Sequence, residues 1–586
     1  MPVVRLALAQ MNAVVGGLSQ NVATLDRFRK QGGTVDADLV VSPELGLTGY
    51  PPEDLLLREG FVDAAADALA ELAATRFLPP LLVGTVIREA GLLLGPPVDA
   101  RDEAGAIGAQ SASLLANVLV ALDDGAVAAT ATKRLLPNYE VFDELRYFRR
   151  GAGPHTIVNV GGVAVGLVIC EDVWPAGGPA AELAAQGATI LVVANASPYA
   201  RGRQGEREAM LRERAIETRC PIAYVNLVGG QDELVFDGQS VVVDERGDII
   251  ARAASFREEL LVVDVEARAS DVGVPLGGRY PRDESETVAH LVNHVADTPD
   301  EVEEVYEALV TGTRDYLRKN GFRSAVLGLS GGVDSSLVAT IAVDAVGSRA
   351  VHGLAMPSRY SSPHSIEDAL ELGRRLDIEV TTLPIESVHR AFAATLVGAL
   401  GEEPSGLTDE NLQSRIRGVL LMAVSNSTGA IVLTTGNKSE LATGYSTLYG
   451  DSAGGFAVIK DVPKTLVYEL CRYRNRRALA DGDPEPIPTA VLDKAPSAEL
   501  RPDQRDDQSL PPYDLLDPLL ELYVEGDATA EELIERGHDA DLVRRVANLV
   551  DRSEYKRRQM PPGVRISKKA FGRDRRMPIT NDFRPE

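Results

Sequence analysis

The chain has 586 residues, a net charge of −26, and 45% apolar and 25% charged side chains. One hydrophobic core does not organise a chain of that length, so two or three domains are expected. So negative a surface repels polyphosphate backbones and argues against a nucleic-acid partner, although a local basic pocket can still take a nucleotide.

Strand and helix signals alternate through the first ~265 residues, which implies an α/β layer structure. Strands are predicted over 3–9, 38–42 and 81–87, with helices over 21–31 and 59–74. The stretch 91–111, rich in Gly, Ala and Pro, reads as an irregular excursion. Strands over 114–122 and 127–131 flank Asp-Asp-Gly, a hairpin signature. An apolar strand over 163–169 stops at Cys170, and further strands follow at 189–195, 222–227, 240–243 and 260–265. Residues 268–298 lack long apolar runs and read as a connector between domains 1–267 and 299–586. The second block repeats strand and helix: helix 301–320, strand 324–329, helix 335–346, strand 350–355, helix 365–376, strand 379–384, helix 411–427 and strand 430–434. That series predicts a parallel sheet. The tail from residue 480, rich in Asp, Pro and Arg, ends in short helices.

Three cysteines, Cys170, Cys220 and Cys471, form no disulfide framework, and no Cys-x-x-Cys pair suggests zinc. No signal peptide and no uncharged apolar run of membrane-spanning length stand out, so the reading is a cytoplasmic protein with no membrane partner.

Two segments carry chemistry. In GLVICEDVWP a thiol stands where an apolar strand ends; Glu44 follows a second strand, in LVVSPELGLTGYPPEDL, and Lys133 a third. A lone buried Cys is ordinarily structural. A thiol, a carboxylate and an amine at three strand ends nevertheless make a coherent amide-cleaving site. The thiolate attacks carbon, Glu44 carries its proton to leaving ammonia, and Lys133 meets the oxyanion. The stretches SPELGLTGYPPEDL, KRLLPNYEVFDE and ICEDVWP resemble the nitrilase-like amidase family, with its Glu-Lys-Cys triad. That resemblance implies an α-β-β-α sandwich over residues 1 to about 265 and a second carboxylate at Glu144. It also implies a glutamine pocket lined by Tyr139, Glu171, Ser197 and Arg203. Arg203 would pair with the substrate α-carboxylate, and Glu171 or a main-chain carbonyl would hold the α-ammonium. The family usually has Gly where this chain has Glu140.

The second segment is SGGVDSS, between a buried strand and a helix. Ser330, Gly331, Gly332 and Ser335 offer a tight turn and helix N–H groups that suit phosphate, and no Gly-Lys-Ser/Thr makes it a Walker loop. The motif resembles the pyrophosphate loop of the N-type ATP pyrophosphatases, in which Asp334 would hold Mg²⁺. TTGNKSELATGYSTLYGDSAGGFAVIKDVPKT, LDKAPSAELRPDQRDDQSLPPYDLLD and RISKKAFGRDRRMPI resemble the NAD synthetase pattern. By that likeness Glu440 is a second Mg²⁺ ligand and Thr435 contacts ATP. Asp451 and Lys568 lie toward deamido-NAD⁺, and Lys464 reaches phosphate. Ser497 keeps the hydroxyl of a position usually held by Thr, and Lys569 and Arg573 complete the phosphate environment.

Across nearly the whole chain, the resemblance is to the glutamine-dependent NAD synthetases, which commonly form homo-oligomers. It implies glutamine, ATP and deamido-NAD⁺ as substrates, with Mg²⁺ as cofactor. Two alternatives stand beside it: another ATP pyrophosphatase-type amidotransferase acting on a different carboxylate, and a nucleotide sensor with a disused amidase scaffold. Coupled chemistry would also require a water-poor passage for ammonia, since ammonium is not a nucleophile.

Overall fold

The computed structural model describes residues 1–88, 115–277 and 291–582. The chain divides into two compact units, Met1–Gln231 with Phe236–Pro299, and Asp232–Val235 with Asp300–Glu586. The excursion at 91–111 lies outside the described residues.

Period-two alternation builds the first unit. In the strand Val163–Ile169, Val163, Val165, Leu167 and Ile169 face one way, into a core shared with Val4, Leu6, Leu8, Leu39 and Val41. Ala164 and Val168 face the other way, onto Leu183, Met210 and Leu211 of the helices Pro179–Ala185 and Arg203–Thr218. Two sheets therefore meet face to face. One has six strands among the described residues, in the order Glu259–Glu266, Val3–Gln10, Leu39–Val41, Leu81–Arg88, Leu115–Asp123 and Ala126–Thr132. Its outer face carries the helix Leu18–Thr34, whose Gly32 backs directly onto Val40. The other sheet has seven strands among the described residues, from Ile249–Arg252 through Val163–Ile169 to Val274–Leu276. The result is the α-β-β-α sandwich implied by the sequence. Full burial of each Leu or Val in this core contributes about 1.5–3 kcal/mol.

The Asp-Asp-Gly hairpin forms between Leu115–Asp123 and Ala126–Thr132, with Asp124 at φ +43° and Gly125 at φ +88°. Left-handed values at both central positions match strand twist. Short strands at Ile157–Val160, Leu234–Asp237, Ile249–Arg252 and Val274–Leu276 were not foreseen, because three or four residues carry little pattern. Val274–Leu276 falls in the stretch read as connector, yet it pairs in parallel with Ile157–Val160. Residues 294 and 296 likewise exchange main-chain hydrogen bonds with Arg252. Residues 278–290 of that stretch lie outside the described residues.

The second unit carries the expected parallel sheet. Its order is Glu379–Thr382, Val351–Ala355, Ala325–Gly328, Ile431–Thr434 and Phe456–Ala457. The chain winds outward from Ala325–Gly328 in one direction, then returns to its other side at Ile431–Thr434. The crevice beyond these two strand ends is a topological switch point, where α/β sheets bind ligands. Asp300 caps the helix Glu301–Lys319 by accepting from the Val302 and Glu303 N–H groups. The helix predicted at 365–376 starts earlier, at Pro363, because Ser362 caps it and proline suits the first helical position. The helix Glu386–Leu400 is an addition to the predicted series. The tail is packed: Leu516, Leu520, Leu533, Val543, Val546 and Val550 form one apolar cluster. Arg565 pairs with Asp574 at 2.6 Å. Among the described residues, no helix is long and apolar enough to cross a membrane.

Candidate active sites

In the first unit, three strand ends deliver the groups predicted from sequence. Lys133 Nζ lies 2.6 Å from Glu44 Oε1 and 2.8 Å from the Glu144 carboxylate, all three buried. Tyr50 donates to Glu144 Oε1 at 2.9 Å. The Glu44 loop rides close over Gly84, where a Cβ would stand 2.2 Å from the Pro43 carbonyl, so only glycine fits there. Cys170 opens a short 3₁₀ turn directly after Val163–Ile169 and sits at φ +44°. A non-glycine residue held there is strained, and such strain concentrates at functional positions. Cys220 and Cys471 are buried too; their thiols lie near the carbonyls of Ala188 and Val333.

Charge and burial set the protonation states. Burial alone would lower the Lys133 ammonium, but Glu144 and Glu44 outweigh it and hold it well above its ordinary value. Burial pushes the Cys170 thiol well up, Glu44 adds to the rise, and Lys133 opposes it. The resting thiol is therefore protonated and needs a base to attack. Burial raises Glu144 to about 7, against the pull of Lys133. Asp172 is raised to about 7 by burial while accepting from the Leu135 N–H at 2.7 Å, which anchors the chain just after Lys133.

The pocket residues expected for glutamine are less tightly joined. Tyr139 is half-exposed and donates to Glu171 Oε2 at 3.0 Å. Ser197 is buried, its N–H donating to Asn226 Oδ1 at 2.9 Å. Arg203 lies at the start of the helix Arg203–Thr218 and reaches Glu206 at 3.3 Å and Glu140 at 3.4 Å. Glu140 has φ +49°, a conformation that glycine adopts freely and that suits the Gly expected at this position.

In the second unit, one pocket lies at the switch point. Ser330, Gly332, Asp334, Ser335, Thr435, Glu440, Asp451, Lys464 and Ser497 all line it. Gly331, at φ +74°, approaches so closely that a Cβ would meet the Ser365 carbonyl at 2.1 Å. Lys464 Nζ bridges two carboxylates, Asp334 Oδ2 at 2.5 Å and Glu440 Oε1 at 3.3 Å. Burial raises Glu440 to about 8, Lys464 pulls it back, and Asp334 adds to the rise. Two carboxylates converging on one cationic locus beside a phosphate-type loop suit a hard divalent ion such as Mg²⁺. Burial also raises Asp451 to about 6. The Ser497 hydroxyl donates to the Gln504 carbonyl at 2.6 Å. Lys568 does not line this pocket; its carbonyl accepts from Arg565. Lys569 pairs with Asp527.

Comparison with known proteins finds relatives of both units. Residues 5–273 match the carbon–nitrogen hydrolase family and residues 305–561 the NAD synthase family. The glutamine-dependent NAD(+) synthetase of Xylella fastidiosa is 44% identical over 585 residues, covering 99% of each chain. The chain belongs to the glutamine-dependent NAD(+) synthetase family. The Rhodobacter capsulatus member is 42% identical over 586 residues, again covering 99% of each chain. Among solved structures, the Acinetobacter baumannii member in complex with ADP is 37% identical, covers 100% of both chains and superposes with a TM-score of 0.73. A Cytophaga hutchinsonii member, at 20% identity and a TM-score of 0.79, covers 99% of this chain and 98% of its own and shows the same fold.

Several site residues escaped the sequence reading. Asn117 donates to Glu44 Oε1 at 2.7 Å, and Asn437 donates to Asp334 Oδ1 at 2.9 Å. Arg417 and Asp506 line the nucleotide-type pocket, and burial lowers Arg417 to about 10. A signal existed for Asn117, which is the one amide in the apolar run LANVLVAL. Nothing local singled out Arg417, on an ordinary helix.

Proposed function

We infer that this protein makes NAD⁺ from deamido-NAD⁺, ATP and glutamine. The observation that carries this is the buried Glu44–Lys133–Glu144 contact beside a strained Cys170, on one chain with a carboxylate-bearing SGGVDSS pocket. Domain 1–267 would release ammonia, 268–298 would connect, and 299–586 would use it.

In the first reaction Glu44 takes the Cys170 proton, and the thiolate attacks the glutamine amide carbon. Lys133 and the N–H after Cys170 stabilise the oxyanion, and the proton returns to the departing ammonia. Water then cleaves the thioester, releasing glutamate. Tyr139, Glu171 and Ser197 shape the substrate pocket, and Arg203 receives the α-carboxylate. In the second reaction the nicotinate carboxylate attacks the α-phosphorus of ATP and pyrophosphate leaves. Ammonia then displaces AMP from the mixed anhydride. Ser330, Gly331, Gly332 and Ser335 cradle phosphate, with Thr435, Lys464 and Ser497 around the nucleotide. Asp451 and Lys568 are assigned toward deamido-NAD⁺. Asp334 and Glu440 would hold Mg²⁺, which when bound neutralises the polyphosphate and the leaving pyrophosphate.

Incubation with glutamine, ATP, Mg²⁺ and a panel of carboxylate acceptors tests the assignment. NAD⁺ should appear by mass only with deamido-NAD⁺, with one AMP per product. Amidation of a different acceptor would move the chain to another amidotransferase class. Arg203→Ala should raise the KM for glutamine about 10- to 100-fold with a smaller effect on kcat. An unchanged KM would remove Arg203 from the carboxylate role.

A further inference from the structure

The two oxygens of Glu44 have different surroundings. Oε1 accepts from Lys133 at 2.6 Å and from Asn117 at 2.7 Å. Oε2 is buried and has no hydrogen-bond partner among the described residues. A buried carboxylate oxygen without a donor is unfavourable unless a donor arrives in the working state.

Asn117 lies on the strand Leu115–Asp123, where Leu119 and Ala121 on the same face enter the apolar core between the sheets. Packing favours an apolar side chain there, so packing does not explain the amide. Its Oδ1 has no partner among the described residues, and Glu44 receives its Nδ2. The reverse orientation would set a carbonyl oxygen against a carboxylate, so charge selects the donor arrangement. The main-chain carbonyl of Asn117 also accepts from the Lys133 N–H at 2.9 Å. One residue thus holds both the base and its cation.

We propose that Asn117 is a positioning residue of the glutaminase reaction: with Lys133 it saturates Glu44 Oε1, so that Oε2 takes the Cys170 proton. This rests on the assignment of Glu44 as the base. The S–H bond breaks as Oε2–H forms, and sulfur bonds to the amide carbon. When the C–N bond breaks, the same proton passes from Oε2 to nitrogen and ammonia leaves. The division of labour keeps the transferred proton off the oxygen that Lys133 holds.

The test uses the full chain with Asn117→Leu, which keeps the branched shape, and Asn117→Asp, which keeps the volume. Ammonium-supported NAD⁺ synthesis serves as the folding control. The glutaminase kcat should fall about 100-fold with Asn117→Leu, the scale of a misplaced reacting group, while the KM for glutamine changes little. The acidic limb of the kcat/KM profile should move to higher pH, because a carboxylate that loses a donor holds its proton more tightly. Asn117→Asp should move the limb further, since a second carboxylate opposes ionisation. If residual turnover is too slow to profile, the pH dependence of iodoacetamide alkylation, read on the Cys170 peptide by mass, supplies the same limb. A limb at the wild-type pH in both variants, or an effect confined to KM, overturns the proposal. Loss of ammonium-supported synthesis together with a wild-type limb also overturns it and leaves Asn117 structural. A Cys170→Ala protein that still hydrolyses glutamine would instead overturn the underlying site assignment.

Discussion

Cys170→Ala is expected to abolish glutamine-supported NAD⁺ formation and to leave ammonium-supported formation near wild type. Sulfur is the nucleophile, and no other group at that strand end replaces it. Glu44 and Lys133 are held in a contact that has no attacking atom of its own. Removal of a covalent nucleophile costs about 10⁴-fold or more. The substitution is also mild for the fold. Cys170 is buried at φ +44°, and alanine tolerates that backbone no worse than cysteine does. The buried charges of Glu44, Lys133 and Glu144 keep their mutual partners. The measurement compares initial rates with saturating glutamine against saturating ammonium chloride, with glutamate release followed separately. Loss of both activities in a protein with unchanged thermal melting would mean that the two chemistries are not separable along the chain.

Asp334→Asn is expected to give the mirror-image result, with synthesis crippled for either nitrogen source and hydrolysis at Cys170 retained. Asp334 receives Asn437 on Oδ1 and Lys464 on Oδ2. An asparagine can accept from one of these donors but must turn its own N–H₂ toward the other. It therefore loses a charge and, with its oxygen turned to the Lys464 ammonium, sets a donor against the Asn437 amide. Lys464 then keeps Glu440 as its one carboxylate partner there, and the locus that suits Mg²⁺ has one anionic ligand fewer. Loss of one preorganised charge contact of this kind costs about 100-fold or more in turnover. Isothermal titration of Mg²⁺ with a non-hydrolysable ATP analogue supplies a second readout and should show weaker metal-dependent binding. Normal NAD⁺ formation by this variant at saturating Mg²⁺ would remove Asp334 from the site.

Local sequence determined the parts whose physics is local. An apolar run that stops at Cys170 reads as a strand from its own pattern, which places the thiol at the strand end. SGGVDSS follows a four-residue strand and opens a helix at Val333 because glycine permits Gly331 its φ of +74° and the following residues favour helix. Alternation in 163–169 and the parallel second sheet are legible for the same reason, since side-chain period is a property of the backbone. Tertiary structure alone decided what those ends face. Glu44 and Lys133 are 89 residues apart and meet at 2.6 Å because two strands of one sheet terminate together. That meeting helps hold the Lys133 ammonium well above its ordinary value, which no local pattern carries. Asn117 becomes part of the site only because its strand starts beside Glu44, and Lys568 stays off the nucleotide-type pocket although its motif resembles the family. The tail reads as polar loop with short helices, yet it packs, because its apolar residues are sparse along the chain and gather only when three helices close on one another. Pairing between distant residues depends on which elements become neighbours, and that is settled by burial of whole faces rather than by any single segment.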